Sequence, residues 1–184
     1  MRSVVVWVGC LILGAISGCA AVYATKPVGE VPCSVKASEW DGTWVNKNGA
    51  VTLKVVDEQA GTLRMAWVEW SIQGPRLESH EIQMRRSEDV TFASVRQGED
   101  SGRALYVWAR VKREGNELIC WTPDVDRFKT AARNGQFPFR EKDDSIVLGE
   151  LTPEHVRILA SQEAGSLYRW DDPVVLLRMN SGEH

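Results

Sequence analysis

Apolar and polar residues alternate along much of the chain beyond residue 40, with the period of two that is typical of half-buried β-strands. The clearest case is ALYVWARVKR, residues 104–113, in which every second residue from Leu105 to Val111 is apolar. Similar stretches predict further strands, at 51–55, 63–70, 77–84, 90–95, 117–121, 145–151 and 174–179. Most of the turns between them are short and contain Gly, Asn, Asp or Pro. Short turns favour antiparallel neighbours, because parallel pairing requires long crossovers.

Two segments in the last third of the chain depart from this alternation and predict helices. The first begins at Thr122-Pro123-Asp124 and runs to Arg133, with Asn134-Gly135 as its end. The second begins at Thr152-Pro153-Glu154 and ends near Gly165. Each start combines a threonine cap, a proline that needs no N–H donor and an acidic residue at the positive helix end. The predicted fold class is mainly β: an antiparallel meander that closes toward a barrel, with two short α-helices in the C-terminal third.

The tripeptide Gly42-Thr43-Trp44 opens the strand-rich region. It is similar to the glycine-x-tryptophan signature on the first strand of lipocalins. This resemblance implies an up-and-down barrel whose closed end is plugged by the tryptophan, here Trp44. It also implies an open end that holds a small hydrophobic molecule. The predicted barrel is therefore lipocalin-like.

The first residues form an apolar run from Val4 to Ile16, which has the length of a secretory h-region and is short for a membrane-spanning helix. The run ends in Ile16-Ser17-Gly18-Cys19, which resembles the lipobox of bacterial lipoproteins. This resemblance implies a signal peptide over residues 1–18, cleavage between Gly18 and Cys19, and attachment of lipid, including palmitate, to Cys19. The alternative is an ordinary secretory signal with an incidental cysteine.

The resemblance to lipoproteins also predicts a location. Ala20, and not aspartate, follows the cysteine. This pattern resembles that of lipoproteins that are sorted to the outer membrane, so we expect the protein to be anchored there and to face the periplasm. Residues 19–38 contain two prolines and no sustained periodicity, so they predict a lipidated N-terminus followed by a flexible tether. Residues 39–184 are then one β-rich globular domain, which is long enough for one substantial core.

Charge and cysteine content restrict the partners. Removal of residues 1–18 takes away Arg2, so the formal charge changes from −3 to −4, and an acidic domain gains no electrostatic attraction to nucleic acid. Of four cysteines, Cys10 leaves with the signal and Cys19 carries lipid. An oxidising envelope allows Cys33 and Cys120 to form a disulfide, which contributes about 4 kcal/mol in the chain-entropy account. The alternative is that Cys120 is a small core residue.

The candidate chemistry is sparse. The sequence contains neither CxxC nor HExxH, and its three histidines are scattered, so it predicts no metal site and no cofactor. Glu78 and Glu81 lie near His80 in the sequence, an arrangement that allows a general base only if the strand alternation is broken. Glu78 and His80 share a strand face, and a solvated cross-strand pair explains that without catalysis. No catalytic motif is present, and the chain is not predicted to be an enzyme. Four tryptophans on predicted strands either face an apolar ligand or fill the core: Trp44, Trp67, Trp108 and Trp121.

These observations together predict a lipid-anchored protein of the bacterial cell envelope that acts as a structural or interaction module. The mature chain resembles uncharacterised envelope lipoproteins, a resemblance that implies no activity. Its expected partners are the membrane, through the anchor, and other envelope proteins. The first alternative is a lipocalin-like carrier or sensor of a small hydrophobic ligand. The second is a hydrolase whose active site the sequence does not reveal.

Overall fold

The computed structural model of this chain describes residues 20–71, 74–161 and 167–179, without the side chains of 69–71. The strands before the first long helix are β1 Val22–Ala24, β2 Val31–Pro32, β3 Gly42–Asn46, β4 Gly49–Asp57, β5 Thr62–Ser71, β6 Gly74–Ser87, β7 Val90–Asp100, β8 Arg103–Glu114 and β9 Glu117–Trp121. The later strands are β10 Phe139–Lys142, β11 Ser145–Leu148 and β12 Val174–Arg178. The helices are α1 Ala37–Trp40, α2 Val125–Arg133 and α3 Pro153–Ala160.

Strands β3 to β9 and β12 form a closed antiparallel barrel of eight strands. Sequential neighbours pair from β3 to β9, and β12 closes the cylinder by pairing with both β9 and β3. The prediction of a mainly β, lipocalin-like meander that closes into a barrel is confirmed. The barrel strands contain all the predicted stretches up to residue 121, and they extend several of them by a few residues at either end.

The side chains that alternate toward the barrel axis form the first hydrophobic core. On β5, for example, Leu63, Met65 and Trp67 point inward and are buried. Corresponding positions on the other strands supply Trp44, Val51, Leu53, Ile82, Met84, Ala93, Val95, Val107, Ala109, Val111, Leu118, Cys120 and Leu176. A period of two is sufficient to place all of these on one face, because successive side chains of a strand point to opposite sides of the sheet.

A second core lies outside the barrel wall. Helices α2 and α3 and the strands β1, β10 and β11 cover the outer face of β7 and β8. Trp108 points outward from β8 and is nevertheless only 4% exposed, because it packs edge-to-face against Phe92, Phe128 and Tyr168. The outer layer therefore explains why β8 carries apolar residues on both faces.

Both predicted helices are confirmed, with small differences at their ends. The carboxylate of Asp124 caps α2 by accepting from the N–H of Arg127, so the cap is the aspartate and not Thr122. In α3 the hydroxyl of Thr152 accepts from the N–H of His155, whose ring in turn accepts from the N–H of Thr152. This helix ends at Ala160, earlier than predicted.

The prediction of a flexible tether over residues 19–38 is wrong for the described part of that segment. Strand β1 pairs in parallel with β11 and antiparallel with β8, and it buries Val22 and Ala24 in the outer core. Val28 is also buried, and its N–H donates to the hydroxyl of Ser94. Strand β2 pairs with β6. Strands of two or three residues are too short to produce a visible period, so the folded body begins near Ala21 and not at residue 39.

The disulfide that the sequence allows between Cys33 and Cys120 is not formed, and both cysteines are free. Cys120 points into the barrel from β9, opposite Val111 of β8, and burial raises the pKa of its thiol to about 12. Cys33 lies beside β6 and β7, where its sulfur is 3.9 Å from the hydroxyl of Thr91. Thr91 pairs with Val111, so the neighbourhood of Cys33 is two strand spacings away from Cys120, and about 10 Å separates such positions. The alternative, a small core residue at position 120, is the one observed.

Candidate functional site

The two ends of the barrel differ in how they are covered. At the end that carries the β4–β5, β6–β7 and β8–β9 turns, residues 33–41 cross the opening, and this is called the closed end. The N–H of Cys33 donates to the carbonyl of Met84, and that of Val35 donates to the carbonyl of Glu58. The opposite end, which carries the β3–β4 and β7–β8 turns, has no such crossing segment among the described residues and is called the open end.

Trp44 plugs the closed end. Its indole is fully buried and donates from Nε1 to the carbonyl of Trp40 at 3.0 Å. The Arg178 guanidinium of β12 lies 6.0 Å from the centre of the Trp44 ring and donates to the carbonyls of Ser38 and Asp41. A cation over an indole face and a satisfied N–H are both stabilising in a desolvated site. Trp44 is therefore a structural residue, as the resemblance to lipocalins implies.

The closed half of the barrel is filled with side chains. Five large inward residues from four strands are each at most 1% exposed: Trp44, Leu63, Met65, Met84 and Leu176. A void large enough for one water molecule would leave the side chains around it accessible to water, and these side chains are not. The interior beside these residues is thus close-packed, in the manner of an ordinary protein core.

Polar groups gather on the inward face near the open end. Glu78 pairs with Trp67 across β5 and β6, and His80 pairs with Met65, so both point toward the barrel axis. The His80 ring stacks on the Trp67 indole with 5.1 Å between centroids and 12° between planes. Trp67 is 6% exposed, and its Nε1–H is buried without an acceptor among the described residues.

Gln97 supplies a second unpaired donor close to this stack. It lies at a β-bulge between Arg96 and Gly98, two residues beyond Val95, which pairs with Ile82 of β6, and this places it beside the strand position of His80. Its amide Nε2 is buried and has no acceptor in the described part of the chain. A buried donor without a partner costs about 1–3 kcal/mol, which a bound acceptor would recover. We define the open-end site as Trp67, His80, Gln97 and Glu78.

The predicted relation of His80 to Glu78 is confirmed only as a shared face. The Glu78 carboxylate binds Arg76, with 2.8 Å between Nε and Oε1, and the His80 ring lies against Trp67. The described contacts of these two side chains are therefore an ion pair and a ring stack. A stacked imidazole beside free indole and amide N–H groups is suited to binding a planar or acidic group.

The four candidate tryptophans divide evenly between the two faces of the wall. Trp44 and Trp67 point into the barrel, and Trp108 and Trp121 point outward. Trp121 packs against Trp170, with 4.9 Å between ring centroids. The four side chains therefore do not line one cavity, and three of them, Trp44, Trp67 and Trp108, are buried.

Sequence reasoning missed a second cluster, on the outer layer. The Arg110 guanidinium lies over the rings of Trp170 at 4.9 Å and Tyr168 at 5.4 Å. Burial lowers the pKa of Arg110, and burial also raises the pKa of Tyr168, whose hydroxyl donates to the carbonyl of Leu159. Sequence reasoning also missed the bulge at Gln97, although a glycine within a strand pattern, here Gly98, is typical of a bulge.

The lipidation and cleavage residues, Cys19 and Gly18, lie outside the described residues. Within the described ranges, no helix is long and apolar enough to cross a membrane. No three His, Cys, Asp or Glu side chains of those same ranges come together in a way that could hold a metal ion. No protein-family model, curated protein or solved structure matches this chain.

Proposed function

We propose that this protein is a lipid-anchored interaction module of the bacterial cell envelope, attached through Cys19 to the outer membrane and facing the periplasm. Two features support the anchor: the h-region over Val4 to Ile16 and the lipobox-like tetrapeptide behind it. The folded body begins near Ala21, whose N–H donates to the hydroxyl of Ser145. Such an anchor would therefore hold the barrel directly at the bilayer surface, with almost no spacer.

The filled closed half of the barrel is the observation that favours a module over a carrier. A carrier of a small hydrophobic molecule needs an apolar space of about 300 Å³ or more that buries most of the ligand. The side chains from Trp44 to Met65 occupy the depth of the barrel where such a space would lie. The polar open-end site is then the candidate binding surface at the ends of the barrel.

The open-end site favours a partner group that accepts hydrogen bonds. The free donors are the Nε1–H of Trp67 and the Nε2–H of Gln97, and His80 adds a ring face that is partly exposed. Carboxylates and backbone carbonyls are acceptors of this kind, and both are displayed by a protein or peptide partner. Both donors are buried, so such a group would reach them only after side chains of the open-end site move, and it would then pair donors that lack an acceptor among the described residues.

A carrier remains the second candidate, because the same two donors also match the head group of an amphipathic acid. In that case the chain of the ligand would lie across the mouth of the barrel and not along its axis, since the closed half is filled. The two candidates differ in what occupies the open-end site in the cell.

A photo-reactive benzoylphenylalanine introduced at Arg103 tests the module directly. Arg103 is exposed at the start of β8, at the open end, and Val56 is an exposed control on the wall near the closed end. Irradiation of intact cells is expected to give one dominant protein adduct from position 103 and none from position 56. The Trp67→Phe change keeps the ring and removes the N–H, and it should weaken that adduct several-fold.

Two outcomes would count against this assignment. Equal adducts from both positions would show that the open end is not the binding face. An adduct from position 103 that contains a lipid and no protein would favour the carrier.

A further inference from the structure

A stripe of exposed apolar side chains runs along the outer face of β12. Val175, Leu177 and Met179 occupy successive outward positions and are 37%, 50% and 56% exposed. The flanking strands add two partly exposed apolar residues to it, Ile119 on β9 and Val45 on β3. These five residues are called the β12 stripe. Scattered exposed apolar residues are normal, whereas a contiguous patch marks an interaction site.

The β12 stripe lies on the outer face of the wall beside a groove. The groove has a volume of about 650 Å³, with Val45, Val175 and Leu177 among its lining residues. The outer core packs on β7 and β8 and reaches β9 only at Trp121, and none of the five stripe residues belongs to it. The stripe is thus an unpartnered face of the barrel within the described ranges.

Charges of opposite sign flank the stripe on its two sides. Glu117 lies on β9 directly beside Leu177, and Lys47 follows the end of β3 on the other side of β12. Both side chains are exposed, and neither forms an ion pair with the described residues. Both also line the groove. The surface therefore has an apolar centre with Glu117 on one flank and Lys47 on the other, and the exposed Asp172 lies at its end, just before β12.

We propose that the β12 stripe is the interface of a homodimer, in which two copies pack face to face about a two-fold axis parallel to β12. Rotation about this axis exchanges the left and right flanks. Lys47 of each copy then comes to lie opposite Glu117 of the second copy, so two ion pairs form around a shared apolar centre. A two-fold axis lying across the strands would instead place Glu117 opposite Glu117 and Lys47 opposite Lys47.

The pairing of Lys47 in each copy with Glu117 in the other makes the β12 stripe complementary in charge to a second copy of itself. An isologous interface uses one patch twice, so the patch must match its own rotated image in both shape and charge. Facing opposite charges favour the correct register, and facing like charges oppose the wrong one. The apolar centre would supply affinity by removing Val175, Leu177 and Met179 from water.

Engineered cysteines test both the dimer and its axis. The variant Lys47→Cys/Glu117→Cys, with Cys33→Ser to remove background, is expressed as the full chain and oxidised in native membranes. The two positions lie on strands separated by β12, so about 10 Å or more separates their Cα atoms within one chain. A disulfide requires Cα atoms within about 7 Å, so a bond within one chain is excluded.

The expected result is a species of twice the mass on non-reducing gels from the double variant. Adding Leu177→Asp should reduce it at least ten-fold, whereas Leu77→Asp, at an exposed apolar position on another part of the wall, should leave it unchanged. Absence of the double-mass species from a folded double variant would overturn the proposal. Equal dimer formation by Lys47→Cys or Glu117→Cys alone would overturn the proposed axis and the ion pairs with it.

Discussion

Replacing Cys19 by alanine is expected to abolish lipid attachment and leave an unprocessed precursor, held in the inner membrane by its signal. Only a thiol at this position can form the thioether. In the lipoproteins that residues 16–19 resemble, the signal peptidase cleaves the chain after the cysteine has been lipidated. Labelled palmitate should be incorporated into the wild-type chain and not into Cys19→Ala, and the variant should migrate at the mass of the full chain.

Cys10 provides the matched control, because it lies inside the predicted signal. Cys10→Ala should take up palmitate and be processed like the wild type. Normal release of a soluble mature protein from Cys19→Ala would contradict the anchor and leave an ordinary secretory signal as the interpretation.

Trp44→Ala is expected to lower the free energy of unfolding by about 4 kcal/mol, a typical cost for truncating a buried tryptophan. The change opens a cavity at the closed end, leaves the carbonyl of Trp40 without its donor and removes the ring beneath Arg178. The loss is a large fraction of the stability of an ordinary domain. Urea denaturation followed by circular dichroism measures it.

Leu77→Ala provides the comparison for Trp44→Ala, because Leu77 is 70% exposed and its truncation should change the stability by no more than about 0.5 kcal/mol. A similar, small effect of both changes would mean that Trp44 does not plug a packed interior. Trp44→Phe should fall between the two, since it keeps most of the volume and loses the N–H.

The barrel could be predicted from the sequence because its strands are long and one-sided. From Leu63 to Trp67 and from Leu105 to Val111, the alternation of apolar and polar residues specifies which face is buried, and short turns specify antiparallel neighbours. The caps of α2 and α3 are equally local, since each depends on a few consecutive residues. Such features need no knowledge of distant contacts.

The parts that could not be predicted depend on contacts between distant residues. Strand β1 is stabilised by β8 and β11, more than eighty residues further along, so Val22 to Ala24 have no local signature. The outer layer likewise hides Trp108, whose outward position on β8 implies exposure until the helices cover it. The open-end site could not be predicted from the sequence, because Gln97 lies at a bulge that breaks the alternation of β7. In addition, Trp67 and His80 lie on different strands and meet only when β5 and β6 pair.

The barrel also changes what an anchor at Cys19 would do. Since Val22 is already part of the sheet, the described body leaves no room for a long tether, and the barrel would keep a fixed face toward the membrane. The open end and the β12 stripe would then be presented at defined heights above the bilayer. Such a geometry suits a module that meets other envelope proteins from one side.

Native mass spectrometry of the mature protein, purified from its own membranes in mild detergent, tests the central claim most directly: the closed half of the barrel is filled, so the barrel holds no enclosed hydrophobic ligand. We expect the mass of the chain from Cys19 with its attached lipid, or twice that mass for the proposed dimer, and no other small molecule, and organic extraction should release nothing in stoichiometric amount. Recovery of one hydrophobic molecule per barrel, reproducibly and lost on unfolding, would contradict it.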